Sequence, residues 1–482
     1  MRKWIKVLVV SNLVATPSAM ASEKPQNSPG GSGNLTLDTY LDQVRGGNKA
    51  AQAAAELSEA GGLKAKERSI LLSPNLFLNY SVSRDNKPTS NPTMMGASTD
   101  VDSMSYGISQ LTPFGLTGKL GMTTNHIVID GASPQFLPLP DYYETRPQLE
   151  LSQSLWKNGF GRETRAQLDL LEGQALLAKH SEKLKEKFMM AEAEGTYWRL
   201  ALAREALSAQ RDSYNRAIKM REWSAGRVKL SLADRADFLQ SDAAVKGREL
   251  ELQIATDEEQ SASRQLNSLR GVASEKVSES LNKLTTDTIE KMPDPNRSGP
   301  REDVLAARQA EVVAKSAARL AREKYAPQVD LYMTYAGNGR DATFGRSSTD
   351  AMAIKNPSRV YGVKVNVPLG VTAVMDQQRG VEMDARASEL TRERKEFEEE
   401  REWAGLKDSL GDARKRLDLV TNMEAVQKEK YEYEKGRQAK GRSTLFQVLI
   451  FEQDYAQAQL NRIRMKADYM RIVAQMKTFG GN

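Results

Sequence analysis

Ala203-Arg204-Glu205-Ala206-Leu207 returns 210 residues later as Ala413-Arg414-Lys415-Arg416-Leu417. The match runs without a gap over residues 197–250 and 407–460. It carries Gly226 onto Gly436, Leu239 onto Leu449 and Leu250 onto Leu460. Each copy follows a strand-like segment and a long helical pattern, so the chain reads as a duplicated unit of strands plus one helical hairpin.

The helical patterns are unusually long. From about Arg162 to Arg227 there is no Pro and little Gly, which at ~1.5 Å per residue reaches roughly 100 Å. Leu170, Leu177, Leu184, Ala191 and Trp198 recur every seven residues, the spacing of a coiled-coil seam, with Phe188 and Leu202 on a neighbouring stripe. The chain turns at Lys229-Leu230-Ser231-Leu232 and returns as helix to about Leu269. The second copy starts near Asp376, turns at Lys440-Gly441-Arg442-Ser443 and returns to Met476. Gly441 suits the positive φ of a tight turn, and Ser443 is expected to cap the next helix. Helices of this length need partners along their whole course, so self-assembly is expected.

Strands precede both hairpins. After a mostly helical stretch from Leu35 to Leu72, interrupted near Gly46-Gly47 and Gly61-Gly62, Leu76, Leu78, Tyr80 and Val82 alternate with Asn79, Ser81 and Ser83; Phe77 breaks the polar side. In the second half, helix over residues 301–324 gives way to Val329, Leu331, Met333 and Tyr335. Returning strands hold Leu149, Leu151 and Leu155, with Gln153 interrupting, and Tyr361, Val363, Val365 and Val367. One apolar and one polar face suit either a barrel with lipid outside or a sandwich strand facing solvent. Residues 85–99 and 337–356 read as long external loops. Strand-like segments at 104–111 and 117–124 have no counterpart in the second half; an added hairpin is the simplest reading.

The formal charge of the 482 residues is +6. Without Arg2, Lys3 and Lys6 it is 66 basic against 63 acidic, or +3, and the charges are finely interleaved. No basic stripe carries stacking aromatics, so nucleic acid is not an expected partner. Those three cations, Val7-Leu8-Val9-Val10 and Ala19-Met20-Ala21 together read as a cleavable export signal over residues 1–21, with a mature start at Ser22. The apolar run is far below the ~20 residues that span a bilayer. Nothing later reads as a transmembrane helix, so residence in a membrane requires a β-barrel.

Catalysis finds no support. There is no Cys, and the only histidines, His126 and His180, lie in different elements with no HExxH-type spacing. His180 reads as a solvated surface residue, and residues 392–401 as a solvated helix face with i,i+4 pairs. No catalytic, cofactor-binding or metal site is expected.

In order, the elements are helix, strand, loop, strand and long helical hairpin, twice. The chain resembles the TolC-type outer-membrane efflux channel (outer membrane factor) family. Leu35-Thr36-Leu37-Asp38 is similar to the opening of that family's first helix, and Arg301-Glu302-Asp303-Val304 to the start of its second repeat. Ser73-Pro74-Asn75-Leu76 and Ala326-Pro327-Gln328-Val329 resemble its helix-to-strand steps. Gln153-Ser154-Leu155-Trp156 and Val367-Pro368-Leu369-Gly370 resemble the ends of its inward-running strands. The run from Gly441 to Leu449 resembles its periplasmic-tip turn.

The resemblance implies a mixed α/β membrane protein: a homotrimer with about four barrel strands per protomer in a twelve-strand barrel, and coiled-coil hairpins forming a periplasmic tunnel. It implies partners too: a periplasmic adaptor, an inner-membrane pump and outer-membrane lipid. By position, the adaptor-docking tips fall on Leu230, Ser231 and Leu232 and on Lys440, Gly441 and Arg442. Only the second keeps the family's Gly, so unequal use of the two turns is expected. The entrance constriction, an acidic ring in well-studied members, falls on Asp237, Gln240, Gln447 and Ile450, so that ring is largely absent. Closure by apolar contact then becomes the expectation, with helix-packing core as the alternative for Ile450.

The expected organisation is a signal peptide at 1–21, a flexible segment at 22–34, a first repeat at 35–270, an equatorial linker at 271–300 and a second repeat at 301–482. The expected function is a passive outer-membrane channel of a tripartite efflux or type I secretion system. The alternative is a periplasmic coiled-coil adaptor or scaffold protein of an envelope complex. A single-hairpin adaptor fits the doubled hairpin poorly.

Overall fold

A computed structural model describes residues 33–480. The export signal expected at 1–21, and nearly all of the segment at 22–34, lie outside the described residues.

The first half begins with β1 (Asn34–Leu35) and three helices, α1 (Leu37–Gly47), α2 (Lys49–Lys64) and α3 (Glu67–Leu71). Thr36 caps α1 by accepting from the Thr39 amide at 3.3 Å, and Asn48 caps α2 through the Ala50 amide at 2.9 Å. Then come β2 (Asn75–Asp85), a short α4 (Pro92–Met95), β3 (Ser98–Leu111), β4 (Leu116–Asp130) and β5 (Asp141–Ser154). The hairpin is α5 (Arg162–Lys229) with α6 (Arg235–Leu269). A linker with β6 (Ser280–Leu281) and α7 (Thr286–Glu290) leads to the second half: α8 (Glu302–Lys324), β7 (Gln328–Ala336), β8 (Gly339–Asp341), α9 (Phe344–Met352) and β9 (Ser358–Asn366). The second hairpin is α10 (Val371–Ala439) with α11 (Leu445–Lys477).

β1 and β6 pair as a short parallel ladder, and the other strands form one antiparallel sheet in the order β2-β3-β4-β5-β7-β9, with β8 continuing along β5. Six strands line up, where the sequence reading expects about four. The difference is the β3–β4 hairpin, which sits inside the sheet between β2 and β5. The second expected loop is also partly ordered, folding into β8 and α9; Ser347 of α9 donates to Thr145 of β5 at 3.0 Å.

The register explains two residues that break the alternation. Phe77 is aligned with Gly107 and, one strand on, Gly121. Its ring tip lies 2.8 and 3.0 Å from where a Cβ at those glycines would stand. The aromatic therefore covers two bare backbones on the polar face, with Lys119 5.0 Å from its ring centre. Gln153 donates to the Phe114 carbonyl at 3.1 Å, tying β5 to the β3–β4 turn.

The long helices all leave one end of the sheet, and α4 and α9 lie in the connections at the other. α5 has 68 residues and α10 has 69, each about 100 Å long. α2 and α8 pack along α5, and the two hairpins meet through α5 and α11. The expected heptad stripe on α5 is only half-buried within one chain apart from Trp198, whereas Leu168 and Ala175 are buried. The main core sits midway along the hairpins, where Tyr40, Tyr197, Leu200, Leu266 and Tyr469 are buried together. Tyr197 donates to the Leu35 carbonyl at 2.7 Å and accepts from the Asn282 amide at 3.0 Å, fastening β1 and the segment after β6 to α5.

Candidate docking tips and channel entrance

The two hairpin turns have the same backbone. In the first, the Ser231 amide bonds the Val228 carbonyl at 3.0 Å and the Leu232 amide bonds Arg227 at 2.8 Å. In the second, Gly441 bonds Gln438 and Arg442 bonds Arg437, both at 2.9 Å. These pairs are related by the same 210-residue shift. Ser231 and Gly441 both have positive φ, 57° and 71°, so the serine adopts the left-handed conformation that glycine adopts more easily. The two turns are therefore equal in shape although only the second keeps the Gly. Even the side chains repeat: Arg227 donates to the Leu232 carbonyl and Arg437 to the Arg442 carbonyl, each at 3.1 Å.

The caps repeat as well. Asp234 accepts from the Ala236 amide at 3.2 Å, and Thr444 from the Gln447 amide at 3.3 Å. Thr444, not Ser443, caps α11; Ser443 instead donates to Glu434. Leu230 and Leu232 are 69% and 62% exposed, while Lys440, Gly441 and Arg442 are exposed and polar. The tips thus share a shape and differ in chemistry.

Asp237 and Gln240 lie one turn apart near the start of α6, and Gln447 and Ile450 likewise on α11. Asp237, Gln447 and Ile450 are half-buried, and Gln240 is exposed. Among the described residues no hydrogen bond joins the α6 pair to the α11 pair.

Just above the tips lies a charged cluster that sequence reading missed. Glu452 is buried on α11. It accepts from Ser213 Oγ at 2.7 Å and pairs with Arg216 at 3.0 Å and Arg248 at 3.2 Å. The Arg216 guanidinium also lies 5.9 and 5.3 Å from the ring centres of Tyr431 and Tyr455. All four long helices meet here. The partners are more than 200 residues apart in sequence, so only the packing of the two hairpins brings them together.

Two surface readings need correction. His180 is half-buried and its Nδ1 lies 2.7 Å from Glu302, which Lys183 also contacts at 3.0 Å. Residues 392–401 keep the Arg392–Glu396 pair, but Arg392 also bridges to Glu311 of α8, and Glu399 is buried against Arg297 at 2.8 Å. Among the described residues, no cluster of three His, Asp or Glu could hold a metal ion, and no helix is long and apolar enough to cross a membrane.

No family model and no curated protein matches the sequence. Solved structures do. The outer-membrane channel OprN superposes with a TM-score of 0.64 at 15% identity, over 92% of this chain and 90% of its own. The chain has the outer-membrane channel fold. The outer membrane protein VceC from Vibrio cholerae gives 0.62 at 13% identity, over 92% and 96%. The MtrE outer membrane channel of Neisseria gonorrhoeae, in its open state, gives 0.62 at 17% identity, over 92% and 89%. In this fold the hairpin turns lie at the end of the molecule away from the sheet.

Proposed function

We propose that the chain is a TolC-type outer-membrane channel, a passive homotrimeric conduit of a tripartite efflux or type I secretion system. It sits in the outer membrane of a Gram-negative-type envelope after export directed by residues 1–21. Repeats at 35–270 and 301–482 flank an equatorial linker at 271–300. The observation that carries this reading is an antiparallel sheet with an exposed apolar face joined directly to helices about 100 Å long. On β3, Met104, Tyr106 and Ile108 are exposed while the residues between them are half-buried, so the apolar face is the more exposed one. That is the arrangement of a barrel with lipid outside.

The tips at Leu230, Ser231, Leu232 and Lys440, Gly441, Arg442 dock a periplasmic adaptor, and the inner-membrane pump supplies the energy. Asp237, Gln240, Gln447 and Ile450 line the entrance. Assembly has a place to occur: a largely apolar cleft between α5 and α11, lined by Phe188, Trp198, Leu202 and Met470, stays open in one chain.

Planar-bilayer conductance of the detergent-extracted protein, with oligomeric mass measured on the same sample, tests the reading. Discrete pore currents from a trimer are expected; a pore-inactive soluble monomer overturns it. Ile450→Ala is expected to raise resting conductance, and an unchanged value removes Ile450 from the entrance.

A further inference from the structure

The sheet has two unpaired edges, β2 and β9. An open edge leaves backbone N–H and C=O groups without partners, which lipid does not tolerate. Six strands fall below the eight of the smallest outer-membrane barrels, so the sheet does not close on itself in a membrane. The strand number is even, so β2 runs away from the helices and β9 runs toward them. Edge β9 of one copy is therefore antiparallel to edge β2 of the next, and head-to-tail contacts of this kind close into rings.

The apolar face reaches both edges. Leu76 on β2 is 81% exposed and lies in register with Ile108, Leu120, Leu149, Tyr335 and finally Arg359 on β9. On β2 the apolar run extends from Leu76 toward the loops, through Leu78, Tyr80 and Val82. On β9 it extends from Arg359 the other way, through Tyr361, Val363 and Val365, toward the helices. The band slides steadily along the register from one edge to the other. A level membrane cuts strands that tilt around a barrel wall in this way.

We propose that three copies join edge β9 to edge β2, closing an eighteen-stranded barrel with six strands from each, not the twelve that the resemblance implies. This rests on the channel reading above. With ~4.8 Å between strands and a tilt of ~40°, eighteen strands span about 36 Å across the backbone, against about 24 Å for twelve. The membrane end is then wide, with Lys119, Glu150, Arg146 and Glu144 on its inner face, and the size limit for cargo lies in the helical tunnel.

The chain has no Cys, so engineered pairs report cleanly. Leu78→Cys combined in turn with Tyr361→Cys, Val363→Cys and Val365→Cys reads the junction between copies. Tyr80→Cys with Met104→Cys, opposite each other in the register, reads whether β3 lies beside β2. Oxidation of the membrane-extracted protein is expected to give a covalent ladder ending at trimer for one junction pair, and a link within one chain for the second pair. A conducting trimer with no junction link, or without the Tyr80–Met104 link, overturns the eighteen-strand barrel and leaves the channel reading intact. A pore-inactive monomer overturns both.

Discussion

Ser213 Oγ donates to Glu452 Oε1 at 2.7 Å across the contact between α5 and α11, and both residues are buried. This bond anchors the carboxylate that Arg216 and Arg248 share, so a single acidic residue ties α5 and α6 to α11. Removing Glu452 strips the half-buried Arg216 guanidinium of its carboxylate beside Tyr431 and Tyr455, while Arg248 keeps Glu251 at 2.7 Å.

Glu452→Ala is therefore expected to destabilise the tip region by about 3–5 kcal/mol, the usual consequence of stripping a buried charge of its partner. Denaturant unfolding reads the loss, and limited proteolysis locates it beyond residue 213 on α5. Arg216→Met in the Glu452→Ala background should recover part of it. A double variant no more stable than the single shows that the arginines are not held together by Glu452.

The matching turns give a paired prediction of opposite sign. Ser231 stands at φ 57°, where an L-residue costs roughly 1–2 kcal/mol, and Gly441 stands in the same region without that cost. Ser231→Gly should raise stability by up to about 1 kcal/mol, since glycine also loses more entropy on folding, and Gly441→Ala should lower it by about 1 kcal/mol. Thermal melts of both variants check the signs. Equal and small effects of like sign would mean the turns relax away from the left-handed conformation.

Much of this architecture is legible in the chain itself. The 210-residue shift marks both hairpins and both turns, because hairpin tips and caps are local chemistry: Asp234 and Thr444 need only the amides two and three residues on. What stays hidden depends on contacts distant in sequence. Residues 104–111 and 117–124 read as strand-like, but their place inside the sheet between β2 and β5 rests on pairings such as Tyr80 with Met104 and Leu120 with Leu149. Gly107 and Gly121 make sense only once Phe77 is known to lie across them. His180 reads as surface until α8 brings Glu302 beside it from 122 residues away. The Glu452 cluster joins residues on four helices that only tertiary packing places together.

The sheet prediction follows from Phe77. A Cβ at position 107 would lie 2.3 Å from the Leu120 carbonyl oxygen and 2.6 Å from the Gly121 Cα, so neither backbone nor ring can simply yield. Gly107→Val is expected to abolish the heat-resistant oligomer on gels, while Phe77→Leu, which uncovers the glycines but keeps the face filled, should weaken it only partly. An oligomer of Gly107→Val as heat-resistant as that of the unaltered chain would show that β3 does not lie against β4 as the register has it.

The last prediction concerns acid. Glu302 is buried at the start of α8. Burial pushes its carboxyl up, but His180, Lys183 and Lys187 outweigh that and hold it below the ordinary carboxylate range. A carboxyl with a lowered folded value adds stability that is fully present above its unfolded value of about 4.3 and is lost as pH falls through the folded one. Wild-type protein should therefore lose stability steeply on acidification below about pH 4.3. Glu302→Gln should be less stable at neutral pH and show a shallower acid slope, because its amide does not titrate. Unfolding midpoints measured from pH 3 to 7 for both proteins give the comparison. Parallel curves would mean that Glu302 binds its proton equally in the folded and unfolded chain, and that the α5–α8 contact at His180 is held by packing alone.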